Sequence, residues 1–231
     1  MGMFLRRGTA PHRTRLSDLE IGRTIKLNLN GTPWDWLVVH QGLPSSLYDA
    51  SCDGTWLLLK DIYENRQWNS RDSNVLETST VQSYLNGDFL NLFDGNVKGA
   101  IKQVKIPYRK NGGSRGTDQS GANGLLCKIF LLSGYEVGWT LNNSSQLPVD
   151  GAKLDYFESG TGTSAKNKRI ANWNGRTNTW YLRSPITNFT NYVNVVGANG
   201  VNGNSRAYNS QGIRPAIILP SDMIVTDDML A

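Results

Sequence analysis

Cysteine and histidine are nearly absent from this chain: its 231 residues hold two of each, Cys52, Cys127, His12 and His40. Two cysteines far apart in sequence form no disulfide framework, and the expectation is a pair of free thiols. The histidines stand apart, and no Cys-x-x-Cys or His-Glu-x-x-His spacing exists, so a structural or catalytic zinc site has no sequence support. Calcium needs six to eight oxygen ligands, and acidic residues such as Asp150, Asp155 and Glu158 are too sparse for that cluster. The reading expects no metal and no cofactor. No Gly-x-Ser-x-Gly elbow and no Gly-x-x-x-x-Gly-Lys phosphate loop is present, which removes the usual hydrolase and nucleotide signatures.

Long apolar runs are missing as well. None approaches the ~20 residues of a membrane-spanning helix, and Met1 to Ala10 has charge without the apolar stretch of a secretion signal. The expectation is a chain made in the cytoplasm, with no membrane insertion. Asn-x-Ser/Thr triplets at Asn30, Asn143 and Asn188 are then chance matches in an asparagine-rich chain. Charge of one sign is also lacking, since 24 basic residues face 19 acidic ones and the net charge is +5. That balance describes a solvated surface and no nucleic-acid partner. A domain of this length buries roughly 70% of its unfolded surface, enough for a core without external staples.

What the chain does have is asparagine. Ten lie between Asn172 and Asn209, among aromatics, glycines and small residues, and the stretch stops at Gly212-Ile213-Arg214-Pro215-Ala216-Ile217-Ile218-Leu219. Asparagine offers one acceptor and two donors on a short side chain and tolerates left-handed backbone, which suits a polar contact surface better than a core. Tyr181, Phe189, Tyr192, Arg206 and Tyr208 stand between the asparagines, and Tyr, Ser, Gly, Asn and Arg together form the palette of antibody binding loops. Recognition is therefore expected, and enzymatic activity is not.

Along the chain, residues 1–20 read as a basic arm with little to build a core, free to be mobile or to dock onto a larger assembly. The domain is expected over 21–220, followed by a tail over 221–231. Trp34 to Val39 follows the turn signal Asn30-Gly31 and reads as a strand entered from a hairpin, with Trp56 to Leu59 as its partner. Ser79 to Phe93 has helical spacing, with Ser79 or Thr80 able to cap and Gly87 interrupting. Val97 to Ile106 reads as a short helix passing into an extended segment. Lys110 to Asn123 and Ser159 to Lys168 read as loops, and Leu125 to Leu132 as one buried strand. Trp180-Tyr181-Leu182, Tyr192 to Val196 and Ile213 to Leu219 suggest a small antiparallel sheet. The class is α+β.

Several fragments, in this order, resemble a known family: Trp36-Leu37-Val38-Val39, Trp56-Leu57-Leu58-Leu59, the helix from Val81 to Asn86, Phe130-Leu131-Leu132-Ser133, Trp180-Tyr181-Leu182-Arg183-Ser184-Pro185 and Gly212 to Ala216. The chain resembles the C-type-lectin-like domain of phage and bacterial proteins, particularly the variable proteins of diversity-generating retroelements. The resemblance spans most of 21–220 and implies a C-type-lectin-like fold with small antiparallel sheets, two or three short helices and long loops.

In that family a DNA repeat is copied with mutation at adenines, and asparagine codons are favoured targets. Asn188-Phe189, Asn191-Tyr192, Asn194-Val195 and Asn204-Ser205-Arg206 read like doublets in which one member has drifted from asparagine. The implied variable region is about 172–215. The implied contact residues are Tyr181, Ile186, Asn188, Phe189, Asn191, Tyr192, Asn194, Asn199, Val201, Asn204, Arg206, Tyr208 and Asn209. Trp180, Ile213 and Ile217 are assigned to the frame, as are Arg183 and Arg214, which can tie loop ends through carbonyls or carboxylates. Trp173 reads equally as core or as stacking surface.

The resemblance further implies a host-surface protein or glycan as partner, display on a phage tail or bacterial surface, and attachment through the N-terminal arm. The Glu-Pro-Asn and Gln-Pro-Asp motifs of calcium-dependent sugar-binding lectins are absent, as are the late cysteines of the formylglycine-generating enzymes that share a lectin-like fold. A non-varying adhesin or lectin of the same fold, a phage glycan hydrolase and a structural virion protein remain the alternatives.

Overall fold

The computed structural model describes residues 13–141 and 146–230. Two five-stranded sheets organise it. In chain order their strands are β1 (Thr24–Leu29), β2 (Thr32–Gln41), β3 (Thr55–Leu59), β4 (Glu64–Gln67), β5 (Ile129–Leu131), β6 (Trp180–Pro185), β7 (Tyr192–Val196), β8 (Asn202–Arg206), β9 (Ser210–Ile213) and β10 (Pro215–Leu219). The first sheet runs β5-β10-β3-β2-β1 and is antiparallel throughout. The second runs β8-β7-β6-β9-β4, with one parallel contact at Trp180 and Gly212. Three short α-helices complete it: α1 (Thr80–Tyr84), α2 (Gly95–Ala100) and α3 (Thr163–Arg169). The class is α+β. Among the described residues no helix is long and apolar enough to cross a membrane.

The apolar runs of the first sheet follow from burial on both faces. Successive strand residues point to opposite sides. Trp36, Val38, Leu57, Leu59, Ile217 and Leu219 enter one core cluster, while Leu37, Val39, Trp56, Leu58, Ala216 and Ile218 enter the other. A strand covered on both faces has no solvent side, so Thr55–Leu59 is buried at every position. The Asn30-Gly31 hairpin forms as expected, with positive φ at both residues (51° and 76°), the backbone of a tight turn matched to strand twist. Ser79 caps α1, its hydroxyl accepting from the Gln82 amide at 3.2 Å.

Five sequence expectations need correction. Leu16 (0% exposed) and Leu19 belong to the core, and Thr14–Arg15 pairs with Ile224–Val225, so the described parts of the arm and the tail pack into the domain. Leu16, Leu19 and Val225 are buried, with Met223, Met229 and Leu230 half-buried against them; residues 1–12 of the arm, with the Asn143 triplet, lie outside the described residues. Lys110 to Asn123 contains a hairpin strand, Thr117–Gln119, paired with Tyr108–Lys110. Ser159 to Lys168 contains most of α3.

The run Leu125 to Leu132 breaks at Lys128: Leu125–Cys127 pairs with Val104–Ile106, and β5 pairs with β10. Ile213 to Leu219 is likewise two strands. Ile213 ends the second sheet, Pro215 opens the first, and buried Arg214 makes the crossing, donating to the Leu59 and Lys60 carbonyls at 2.8 and 2.9 Å beneath the Trp180 ring. Cys52 and Cys127 are free and buried.

Candidate functional site

The β7–β8 hairpin sets the geometry of the asparagine-rich stretch. Tyr192 lies opposite Arg206 and Asn194 opposite Asn204, so these four share one face, while Val193 and Val195 point into the core. At the Tyr192–Arg206 end, the 186–191 loop and the turn after Arg206 come together. Phe189 (46% exposed) meets Tyr192 edge-on with ring centroids 5.2 Å apart. The Arg206 guanidinium donates to the Tyr192 and Tyr208 hydroxyls, each at 3.2 Å, and lies 5.6 Å from both ring centres. Those hydroxyl contacts hold the Arg206 pKa above its ordinary value. The Asp72 carboxylate accepts from the Asn191 amide at 2.8 Å and stands 3.8 Å from Arg206. A cleft of about 270 Å³, lined by Ile186, Phe189, Tyr192 and Asn204, opens beside them.

The backbone under this patch is held by residues that sequence reasoning missed. Asn74, 1% exposed, donates from its amide to the carbonyls of Phe189 (3.0 Å) and Tyr192 (2.8 Å), and its oxygen accepts from the Gly113 amide at 3.0 Å. Gly113 packs so closely that a β-carbon there would lie 1.9 Å from the Phe189 carbonyl oxygen. The 110–116 segment, rich in glycine and part of the stretch read as a loop, is thus a buttress for the 186–191 loop. The available signal was Gly112-Gly113 itself, since close backbone approach demands glycine.

Of the thirteen proposed contact residues, Asn188, Phe189, Asn191, Tyr192, Asn204, Arg206, Tyr208 and Asn209 are exposed or half-exposed at this end of the hairpin. Ile186 is 3% exposed and forms the floor of the cleft.

Two others belong to the frame. Tyr181 is 0% exposed; its hydroxyl donates toward the carbonyls of Arg206 (2.6 Å) and Asn209 (2.9 Å), propping the turn that carries Tyr208, and burial pushes its pKa up to about 12. Asn194 is 0% exposed and donates to the Ser184 and Pro185 carbonyls at 3.1 and 3.2 Å. Each asparagine or tyrosine near a turn has two uses, and here register chose backbone satisfaction over ligand contact. Asn199 and Val201 sit in the β7–β8 turn, at the far end of the hairpin beyond Val196 and Asn202, and do not join the patch. Four strand steps, roughly 13 Å, separate the two ends.

This division has a direct test. Asn194→Ala is expected to cost about 1–3 kcal/mol by stranding buried carbonyls, whereas Asn204→Ala stays within about 0.5 kcal/mol as a surface change. Urea unfolding of both variants checks it, and equal losses would return Asn194 to the contact set.

Comparison with known proteins adds one match. No curated protein and no solved structure shows detectable similarity to the chain. Residues 53–221, which hold both halves of the exposed patch and its buttress, match the family described as domain of unknown function DUF6273. The chain belongs to that family.

Proposed function

We propose that the protein is a non-enzymatic ligand-binding module of the C-type-lectin-like kind, displayed on a phage tail or bacterial surface, whose contact residues are diversified by a retroelement. The observation that carries this reading is the separation of two roles in one short stretch. Phe189, Asn188, Asn204 and Tyr208 are exposed on a shared patch, while the frame residues Trp180, Ile213 and Ile217 are 0% exposed. Side chains in the first group can change without emptying the core. Substitution away from buried features costs little, so one frame can carry many surfaces.

The patch also has the makings of an interface centre. Phe189, Tyr192 and Tyr208 supply area at small entropic cost, and Arg206 is pre-oriented by two hydroxyls. Polar asparagines at the rim add adaptable hydrogen bonding. Multiple copies on one particle would multiply a modest single-site affinity.

The test has two arms. Phe189→Ala and Tyr208→Ala are each expected to change stability by no more than about 0.5 kcal/mol while weakening capture of a host-envelope ligand at least about tenfold. Calorimetric unfolding and binding to immobilised envelope fractions read the two quantities; binding that survives both substitutions defeats the reading. The coding sequence supplies the second arm. A near-copy of the 172–215 segment, differing mainly at adenines and lying near a reverse transcriptase, is expected for a diversified protein. Its absence leaves a fixed adhesin of the same architecture.

A further inference from the structure

A second groove shares no residue with the cleft above. It lies between the 171–178 hairpin and the start of β2, where Trp34, Tyr63 and Trp173 surround Asp61 and Asn172 in a space of about 360 Å³. An adjoining space of about 410 Å³, lined by Lys26, Asp35 and Lys60, shares Trp34 and Asp61 with it, so the two spaces border one another. Both volumes fall in the range of small-molecule sites. Trp34 and Tyr63 are half-buried with ring centroids 5.1 Å apart, and Trp173 leaves 36% of its surface in solvent.

The polar groups are fixed. Asp61 Oδ1 accepts from the backbone amide of Asn172 at 2.8 Å and from its side-chain amide at 3.1 Å, and no described residue donates to Oδ2. The Asn172 carbonyl accepts from Ile62 at 2.9 Å, strapping the hairpin to the segment that carries Asp61. The Asn174-Gly175 turn, with φ of 51° and 76°, holds Trp173 at the hairpin's tip.

A large aromatic surface beside a pre-oriented carboxylate and amide matches one class of ligand closely. A pyranose ring has an apolar C–H face that packs on an indole and an edge of hydroxyls that donate to a carboxylate and accept from an amide. The charges select further. Lys26 and Lys60 each stand 3.3 Å from Asp35, and with Asp61 two cations face two anions. A balanced groove gives a polyanion no electrostatic advantage. We propose that this groove binds a neutral oligosaccharide, one ring against Trp173 and Asp61 and the next beyond Trp34. Neither the lectin resemblance nor the Phe189 patch enters this argument.

The purified full chain should be screened on an array carrying neutral, sialylated and sulfated oligosaccharides together with unglycosylated peptides. A neutral glycan is expected to be retained, and the tightest should then be titrated calorimetrically. Trp173→Ala, at an exposed hairpin, should weaken it at least tenfold. Asp61→Asn, which keeps an acceptor for Asn172, should weaken it about fivefold or more. Phe189→Ala should leave it unchanged, which separates this site from the recognition patch. Retention of no glycan, preference for sulfated or sialylated chains, or retention of peptides alone overturns the proposal. So does a titration in which Trp173→Ala and Asp61→Asn match the wild type, or in which only Phe189→Ala weakens binding.

Discussion

Arg183→Met is expected to lower the unfolding free energy by about 3–5 kcal/mol, a large share of the 5–15 kcal/mol typical of a folded domain. Arg183 and Glu136 have fully buried side chains joined by two bonds, Nη1 to Oε2 at 2.6 Å and Nη2 to Oε1 at 2.7 Å. The same guanidinium donates to the carbonyls of Pro107 (3.0 Å), Leu131 (2.9 Å) and Asp150 (2.6 Å), tying β6 to three other segments. Methionine fills similar volume but strands those carbonyls and leaves the Glu136 carboxylate buried with only the Tyr48 hydroxyl and the Ser133 amide. An uncompensated buried charge is the dominant penalty, more than the bonds lost. The double variant Arg183→Met/Glu136→Leu is therefore expected to recover much of the loss. Urea midpoints with an unchanged m-value measure both. A loss below about 1 kcal/mol in the single variant would mean that water reaches Glu136, contrary to its burial.

Asp150→Asn is expected to remove a pH dependence of about 4 kcal/mol. Asp150 is fully buried, and burial pushes its carboxyl from an ordinary 3.8 up to about 7, against the pull of Arg183 and the Ser184 hydroxyl and with help from Glu136. Its Oδ2 accepts from Ser184 at 2.7 Å, while Oδ1 has no hydrogen-bond partner. Because the folded-state pKa is raised, the folded state holds the proton more tightly. The contribution is fully present below about pH 4, is lost as pH rises from about 4 to 7, and stays lost above. Asparagine cannot ionise and retains the acceptor for Ser184. The variant should match the wild type near pH 4 and exceed it by up to about 4 kcal/mol at pH 8. Unfolding curves at intervals across that range read the difference directly; parallel pH profiles for the two proteins would show that Asp150 ionises freely in the fold.

Local signals read from the chain survived where neighbouring residues decide the outcome. Asn30-Gly31 made its hairpin and Ser79 its cap, because turn and cap chemistry depends on a few adjacent groups. Trp34 to Val39 found Trp56 to Leu59 across an antiparallel register. Arg183 and Arg214 proved structural, as the apolar residues and proline around them implied. The errors fall where a distant segment decides. Lys128 splits an apolar run between two partner strands, and Arg214 splits another between two sheets; each charge marks the break, but hydrophobicity does not name the partner strands. Leu16, isolated among polar residues, and Val225, in a short apolar triplet, are buried where the two ends of the domain pair.

The contact surface divides in the same way. Composition alone determined that residues 172–209 would be rich in polar and aromatic side chains unsuited to a continuous core, and that a final apolar segment would close them off. Residue spacing, helical over 79–93 and extended in the short apolar segments, pointed to the α+β class. Only the tertiary structure decided which of those side chains face outward. Asn194 and Asn204 are the same residue on opposed strands of one hairpin, yet Asn194 reaches the Ser184 and Pro185 carbonyls and is buried, while Asn204 borders the cleft. Tyr181 and Tyr192 are separated likewise by which neighbour lies above them. A side chain's chemistry is written in the sequence, but its partner is supplied by whichever distant backbone group the fold leaves unsatisfied beside it.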